Sequence, residues 1–210
     1  DSSRFTPREK DEALVASLGL EGKFVAGYIG THGLAHALDS VLDAAKLLAA
    51  REGGDRIRLI LLGDGARKAE LQARARTEGI SNVIFVDSVP KDEVVRYWSL
   101  LDASIIHLRK TELFTSVIPS KLFECMGMGI PVLHGVLGES AEIVERTGVG
   151  LPFEPENPVA LCEALERLDG DASLYAACRE RGPVAARDYD RAVLAGRMLE
   201  VVREVAHSRA

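Results

Sequence analysis

Short apolar runs alternate along the chain with longer amphipathic stretches. Residues 23–28 form a brief apolar run that ends in Gly27-Tyr28-Ile29-Gly30. From about Ala35 the period changes. Leu38, Val41, Leu42, Ala45 and Leu48 recur at three- and four-residue steps, which predicts a helix stopped by Gly53-Gly54. Ile57–Leu62 is almost continuously apolar, as expected of a strand covered on both faces. Gly63-Asp64-Gly65 closes that strand, and an Ala/Arg/Glu-rich helix is predicted over 66–78. The unit then repeats, with strands predicted over 82–86, 103–107, 131–134 and 149–152. Helices are predicted over 91–100, 119–128 and 139–146, and Pro119 suits the first turn of the second of these. An irregular stretch covers 108–118, and three more helices are predicted over 158–168, 172–181 and 191–207.

Strands separated by single helices need crossovers, and crossovers build a parallel sheet with helices on both faces. The pattern therefore predicts an α/β, doubly wound (Rossmann-like) parallel sheet of about six strands with a helical C-terminal tail. The 210 residues allow one domain or two small ones, and the repeating unit decides for one. With 47% apolar and 28% charged residues, the composition excludes a disordered chain, a collagen and a disulfide scaffold. No run of about 18 apolar residues occurs, so no membrane-spanning helix is expected. A net charge of −6 carries no electrostatic footprint for nucleic acid and disfavours anionic lipid. Cys125, Cys162 and Cys178 form no CxxC pair and read as reduced, partly buried residues of a cytoplasmic protein. The N-terminus lacks an initiator Met and a signal-peptide pattern, so the chain reads as cut from something longer.

Ligands of such sheets bind beyond the carboxyl ends of the strands, which directs attention to the loops that follow them. Gly30-Thr31-His32-Gly33 offers amide groups and a helix end to a phosphate, or its glycines only permit the turn. It has neither the GxGxxG spacing nor a Walker loop. Asp64, in the Gly63-Asp64-Gly65 turn, either bonds a ribose or, more in keeping with its position, caps the next helix. The most informative segment runs from Thr111 to Val132. Its long loop enters a helix at Pro119, and Ser120 and Lys121 place a hydroxyl and an ammonium among free amides, an arrangement suited to a diphosphate. Glu124 lies about one turn further along, where it either accepts from ribose hydroxyls or faces water. Glu139 opens another loop-to-helix junction. His32 and His36 flank the first glycine turn, and His107 and His134 end strands. The HExxH metal motif and the GxSxG elbow are absent. Tyr97 and Trp98 read as core.

These residues together resemble the C-terminal, nucleotide-sugar-binding domain of the large retaining glycosyltransferase family with the two-domain B-type fold (group 1), in its bacterial surface-polysaccharide branch. Asp1-Ser2-Ser3-Arg4-Phe5-Thr6-Pro7 resembles the D-x-x-x-F-x-P segment after the interdomain linker. Leu61-Leu62-Gly63-Asp64-Gly65 resembles the G-D-G turn. Asn82-Val83-Ile84-Phe85 and Val89-Pro90 resemble the segment near the nucleobase. Phe123-Glu124-Cys125-Met126-Gly127-Met128-Gly129-Ile130-Pro131-Val132 resembles L-E-A-M-A-x-G-x-P-V, the most specific match. Val149-Gly150-Leu151 and Asn157-Pro158-Val159-Ala160-Leu161 resemble the G-G-L-V … D-P-x-A-L ending.

The resemblance implies that residues 1–210 are a single donor domain, the C-terminal half of a two-domain enzyme whose N-terminal acceptor domain is absent. It places the diphosphate against Gly30, Gly33 and the backbone of Pro119, Ser120, Lys121 and Leu122. Glu124 takes the ribose, and Asp87 and Val89 lie beside the base, with Gly63 and Asp64 on the same rim. The family's first glutamate falls at Ser116, and its phosphate-binding Arg and Lys fall at Thr31 and His36. Lys121, with Arg109 or Lys110, would then supply the missing charge. Lys121 and Ser116 are the candidate catalytic residues, and no metal or other cofactor is implied. The implied reaction transfers a sugar, with retention, from a UDP-sugar to a lipopolysaccharide or lipid-linked polysaccharide acceptor. The acceptor glycan or glycolipid would bind through the missing half, which can also contact the inner face of the cytoplasmic membrane peripherally. The competing readings are half of a non-hydrolysing UDP-sugar 2-epimerase, a dinucleotide-dependent oxidoreductase domain and a non-catalytic nucleotide-binding module.

Overall fold

A parallel sheet buried on both faces needs strands that are apolar throughout. β1 (Phe24–Ile29) is buried at every position, and β2 (Ile57–Leu62) at all but Arg58. A computed structural model of the chain describes residues 4–207. In it β3 (Val83–Val86), β4 (Ala103–His107), β5 (Val132–Gly135) and β6 (Gly150–Pro152) complete a six-stranded sheet in the order β3-β2-β1-β4-β5-β6, parallel throughout. Side chains alternate across β2. Leu59 and Leu61 enter one core with Leu42, Leu48, Ile105 and Leu165. Ile60 and Leu62 enter the other with Trp98, Ile106, Leu122 and Ile143.

The helices lie where the periodicity predicts, with shifted ends. α1 (Glu12–Ser17) precedes the sheet; α2 (Leu38–Ala49), α3 (Lys68–Thr77), α4 (Val94–Trp98), α5 (Lys121–Met128), α6 (Glu139–Thr147) and α7 (Pro158–Gly170) follow successive strands. α8 (Ala172–Ala186) and α9 (Arg191–His207) form the tail. α1 was not legible as a helix because it is short and buries no side chain fully, Leu14 and Val15 packing only half-buried against the second core. Polar contacts also hold it: Asp11 caps it, Arg96 bonds Asp11 at 2.7 Å, and Lys10 bonds Asp102 at 2.7 Å. α2 starts at Leu38 rather than near Ala35, because Ala37 takes a left-handed conformation (φ 44°). Pro119 and Ser120 stand just before α5 rather than inside it, and the Pro119 carbonyl accepts from the Leu122 amide at 3.0 Å. α8 runs past the expected Arg181, through Pro183, because Gly182 lets it pack directly on the backbone of Met126 in α5. Cys125, Cys162 and Cys178 are buried and free. Asp1, Ser2 and Ser3 of the N-terminal motif lie outside the described residues. Among the described residues no helix is long and apolar enough to cross a membrane.

The strand order places the site. After β3 the chain crosses back to the other side of β1, so β1 and β4 are neighbours whose connections leave in opposite directions. Their pairing covers only Ala26↔Ala103 and Gly27↔Ser104, although β1 continues to Ile29 and β4 to His107. At the opposite end Asp102 binds both backbone groups of Val25, donating its amide (2.7 Å) and accepting on Oδ2 (2.8 Å). The two strands are therefore joined at their amino ends and part at their carboxyl ends, opening a crevice.

Truncating Leu61, fully buried in the sheet, is expected to cost about 2–5 kcal/mol. The same change at Leu194, 44% exposed on α9, is expected to cost less than about 0.5 kcal/mol. Urea denaturation of L61A and L194A measures both, and equal losses would show that α9 shares the core.

Candidate functional site

Two glycine turns meet above the crevice. The Gly30 amide donates to the Leu62 carbonyl (2.9 Å), and the His32 amide to the Asp64 carbonyl (2.8 Å). A Cβ on Gly63 (φ 145°) would overlap the Gly30 carbonyl oxygen, so the two turns pack backbone to backbone only because Gly63 has no side chain. Gly30 (φ 154°) leaves a notch, and a Cβ there would lie 2.6 Å from Lys121 Nζ. Lys121, the first residue of α5, extends into that notch with its ammonium 4.0 Å from the centre of the Tyr28 ring. The tyrosine is fixed from its far end, its hydroxyl donating to the Thr31 carbonyl at 2.8 Å.

Burial sets the electrostatics of this cluster. It pushes the Lys121 ammonium down to about 8, and Glu124 acts on it only as a smaller, opposing influence. No carboxylate pairs with Lys121 among the described residues. Burial also pushes His32 down to about 4, with the nearby Lys68 charge adding to the effect, and lowers His36. Both imidazoles are therefore neutral at neutral pH. Both His32 ring nitrogens and His36 Nδ1 are buried without a hydrogen-bond partner. Buried polar groups are normally satisfied, so the ammonium and the single N–H of the neutral His32 ring form a donor set in reserve beside the crevice. It suits an anion.

The other expected residues are arranged around this centre. Asp64 does not cap α3, because its Oδ1 accepts from its own neighbour Gly65 at 2.8 Å and the carboxylate stays exposed. Asp87 is exposed and bonds Lys68 Nζ at 2.6 Å, which holds its carboxyl below the usual range. Val89 is half-buried against the second core. Ser120 and Glu124 border a 300 Å³ cavity with Phe5, Phe123 and Tyr189. Glu124 is half-buried rather than turned to water, and burial raises its pKa. Leu122 is fully buried and Thr31 exposed. Ser116 is exposed on a loop pinned to the start of α6, where the Thr115 carbonyl accepts from the Glu139 amide at 3.2 Å. Lys110 is paired with Glu154 at 2.6 Å and Arg109 lies 4.0 Å from Glu156, so neither is a free cation. Among the described residues no group of three or more His, Cys, Asp or Glu side chains is gathered as a metal-binding set.

Residues 23–171 match the family model described as glycosyl transferases group 1. The chain belongs to the group 1 glycosyl transferases. It is 28% identical over 186 residues to a GDP-mannose-dependent alpha-mannosyltransferase of Mycobacterium tuberculosis, covering 86% of this chain and 44% of that protein. The chain thus spans less than half the length of that relative. HepE of Anabaena, solved with UDP and glucose, superposes with a TM-score of 0.80 at 19% identity over 97% of this chain and 54% of HepE. The C-terminal domain of LpcC, a group 1 glycosyl transferase family protein of Francisella tularensis, superposes with a TM-score of 0.73 at 18% identity, covering 89% of this chain and 96% of that domain.

Two residues of this group 1 chain's crevice escape a reading of the sequence. Tyr28 stands near the end of an apolar run, and its one signal was a phenol in an otherwise apolar strand. Lys68 carries no signal at all. It is buried near the start of α3, where Nζ donates to the Gly63 carbonyl (2.7 Å), the Val86 carbonyl (3.3 Å) and Asp87.

The Lys121 pKa is lowered on folding, so its protonation opposes folding. That cost is fully present below about 8 and is relieved as pH rises toward the ordinary 10.5. Lysine-selective NMR titration is expected to find this side chain near 8. K121M is expected to raise Tm at pH 7 by about 2–4 °C. A Lys121 that titrates with the other lysines, or a lower Tm in K121M, would refute the desolvation.

Proposed function

We propose that this chain is the donor half of a glycosyltransferase and holds a nucleoside diphosphate sugar, with UDP as the nucleotide, in the crevice between β1 and β4. The observation that carries this reading is the unpaired Lys121 ammonium, seated in the Gly30 notch at the N-terminus of a helix. An anion placed there gains the charge, the free amides and the helix dipole together. The diphosphate lies against Gly30, Gly33 and the backbone from Pro119 to Leu122, with the neutral imidazoles of His32 and His36 as further donors. The ribose reaches Glu124. The base sits beside Asp87 and Val89, with Gly63 and Asp64 on the same rim.

Charge builds on the leaving diphosphate as the bond to the sugar breaks. Lys121 and the helix end stabilise it in place, and such fixed donors usually supply the largest share of catalysis. Protein groups thereby stand where other enzymes use a divalent metal. Ser116, on its exposed loop, faces the sugar end of the donor. Transfer with retention of configuration is part of this reading and is supported by the resemblance of the sequence motifs to those of retaining enzymes. The acceptor, a lipid-linked or lipopolysaccharide glycan, binds a preceding half, so residues 1–210 bind donor and transfer little sugar by themselves. UDP is favoured by the UDP-bound HepE, while the GDP-mannose-dependent relative makes GDP the alternative to test.

Isothermal calorimetry of the chain against UDP, GDP and NAD decides among these. Binding of UDP ahead of GDP, with no response to NAD, is expected; binding of NAD alone would sink the reading. K121M is expected to lose about 1.5–3 kcal/mol of UDP affinity. The wild-type affinity is expected to fall as pH rises through about 8, where Lys121 loses its proton, and K121M is expected to lack that step. E124A is expected to weaken UDP while leaving inorganic diphosphate, which has no ribose, unchanged.

A further inference from the structure

His107 ends β4 and is buried beneath the crevice, and its ring is hydrogen-bonded on both nitrogens. Nδ1 lies 2.9 Å from the His36 carbonyl oxygen. Nε2 lies 2.8 Å from the Glu156 amide nitrogen, which donates to it. A carbonyl can only accept and an amide can only donate, so the ring is a neutral imidazole with its proton on Nδ1. Burial lowers its pKa and keeps it neutral.

The two peptide groups it holds are special ones. Among the described residues, the non-glycine residues with positive φ are Ala37 (44°) and Glu156 (57°). Left-handed backbone is costly for a residue with a Cβ and persists only where its surroundings impose it. His107 takes the carbonyl on the amino side of Ala37 and the amide of Glu156 itself. Ala37 is the residue from which α2 starts, with no side-chain cap. Glu156 in turn accepts the Lys110 amide on Oε2 at 2.7 Å, and the Arg109 amide donates to the Ala35 carbonyl at 2.9 Å. One ring thus joins the loop after β1, the turn after β4 and the loop after β6. The ring also stacks on Phe153 (5.7 Å between centroids, 18°), and a Cβ on Gly135 would lie 2.6 Å from its Cδ2. Packing alone could be supplied by phenylalanine. The paired hydrogen bonds to two strained turns cannot.

We infer that His107 is a positioning residue for the donor: its Nδ1-protonated ring fixes the strained turns at Ala37 and Glu156 and so sets the start of α2 and the Arg109–Lys110 turn around the bound diphosphate. This rests on the donor reading given above. The ring touches no substrate and acts through the backbone it holds.

The test uses the 210-residue chain, with UDP as the probe. Long-range ¹H–¹⁵N NMR at pH 7 is expected to show the Nδ1–H tautomer for His107. H107F keeps the stacking and loses both hydrogen bonds; it is expected to bind UDP about tenfold more weakly, as the loss of roughly one hydrogen bond's worth of positioning. H107Q, whose amide has a donor nitrogen and an acceptor oxygen, is expected to recover part of that loss, and it carries the comparison if H107F does not fold. An Nε2–H tautomer overturns the inference. So does H107F, or H107Q in its place, that melts earlier yet binds UDP with wild-type affinity when folded, since packing alone would do that. A wild-type chain that does not bind UDP overturns the donor reading, and this inference with it; a wild type that binds and variants that bind equally well overturn only the part assigned to His107.

Discussion

The constraint on which this structure depends is the short contact between β1 and β4. In a parallel sheet covered on both faces, a strand's amides must find partners within the sheet. Here β1 and β4 share two register pairs and then separate. Asp102 secures their amino ends through both backbone groups of Val25. Beyond the parting lie the loops after β1 and β4, at the one place where the direction of winding reverses. The crevice is therefore a consequence of strand order, and whatever residues follow those two strands become its walls.

What fills the walls shows how the chain manages a desolvated charge. Lys121 lies where a glycine and an aromatic face leave room for it, and no carboxylate pairs with it among the described residues. The ring face offers partial compensation for the lost water, and burial still lowers the ammonium's affinity for its proton. A protein shaped only for stability would place a carboxylate or an apolar side chain there. The two turns above the crevice are held as tightly as backbone allows, with Gly63 against Gly30 and Lys68 gathering the ends of β2 and β3. A cation held in place by rigid surroundings costs little reorganisation when an anion arrives.

Much of the fold was legible in the residue pattern. The nearly all-apolar run at β2, the three- and four-residue spacing of α2 and the alternation of short and long elements point to a doubly wound sheet. Legibility stopped where hydrophobicity does not carry the structure. α1 is a six-residue helix held by capping, ion pairs and two half-buried side chains, too short to leave a periodic trace. The start of α2 moved because Ala37 adopts a conformation that its residue type disfavours. Asp64 has the sequence position of a helix cap and bonds within its own turn instead. Of the site, Lys121 and the glycine turns could be picked out, whereas Tyr28 and Lys68 look like ordinary strand and helix residues until the loops are folded over them.

The sequence by itself determined the fold class, the family and the loops that stand at the carboxyl ends of the strands, because the period of burial and the positions of Gly and Pro are local properties of the chain. Only the tertiary structure decided which of those loops meet. It set Lys121 into the Gly30 notch from ninety-one residues away in the chain, paired Lys110 and Arg109 with acids of the loop after β6, and left Ser116 on an outer loop. The reason is physical: desolvation and the pairing of charges depend on distance in space, which a sequence does not state.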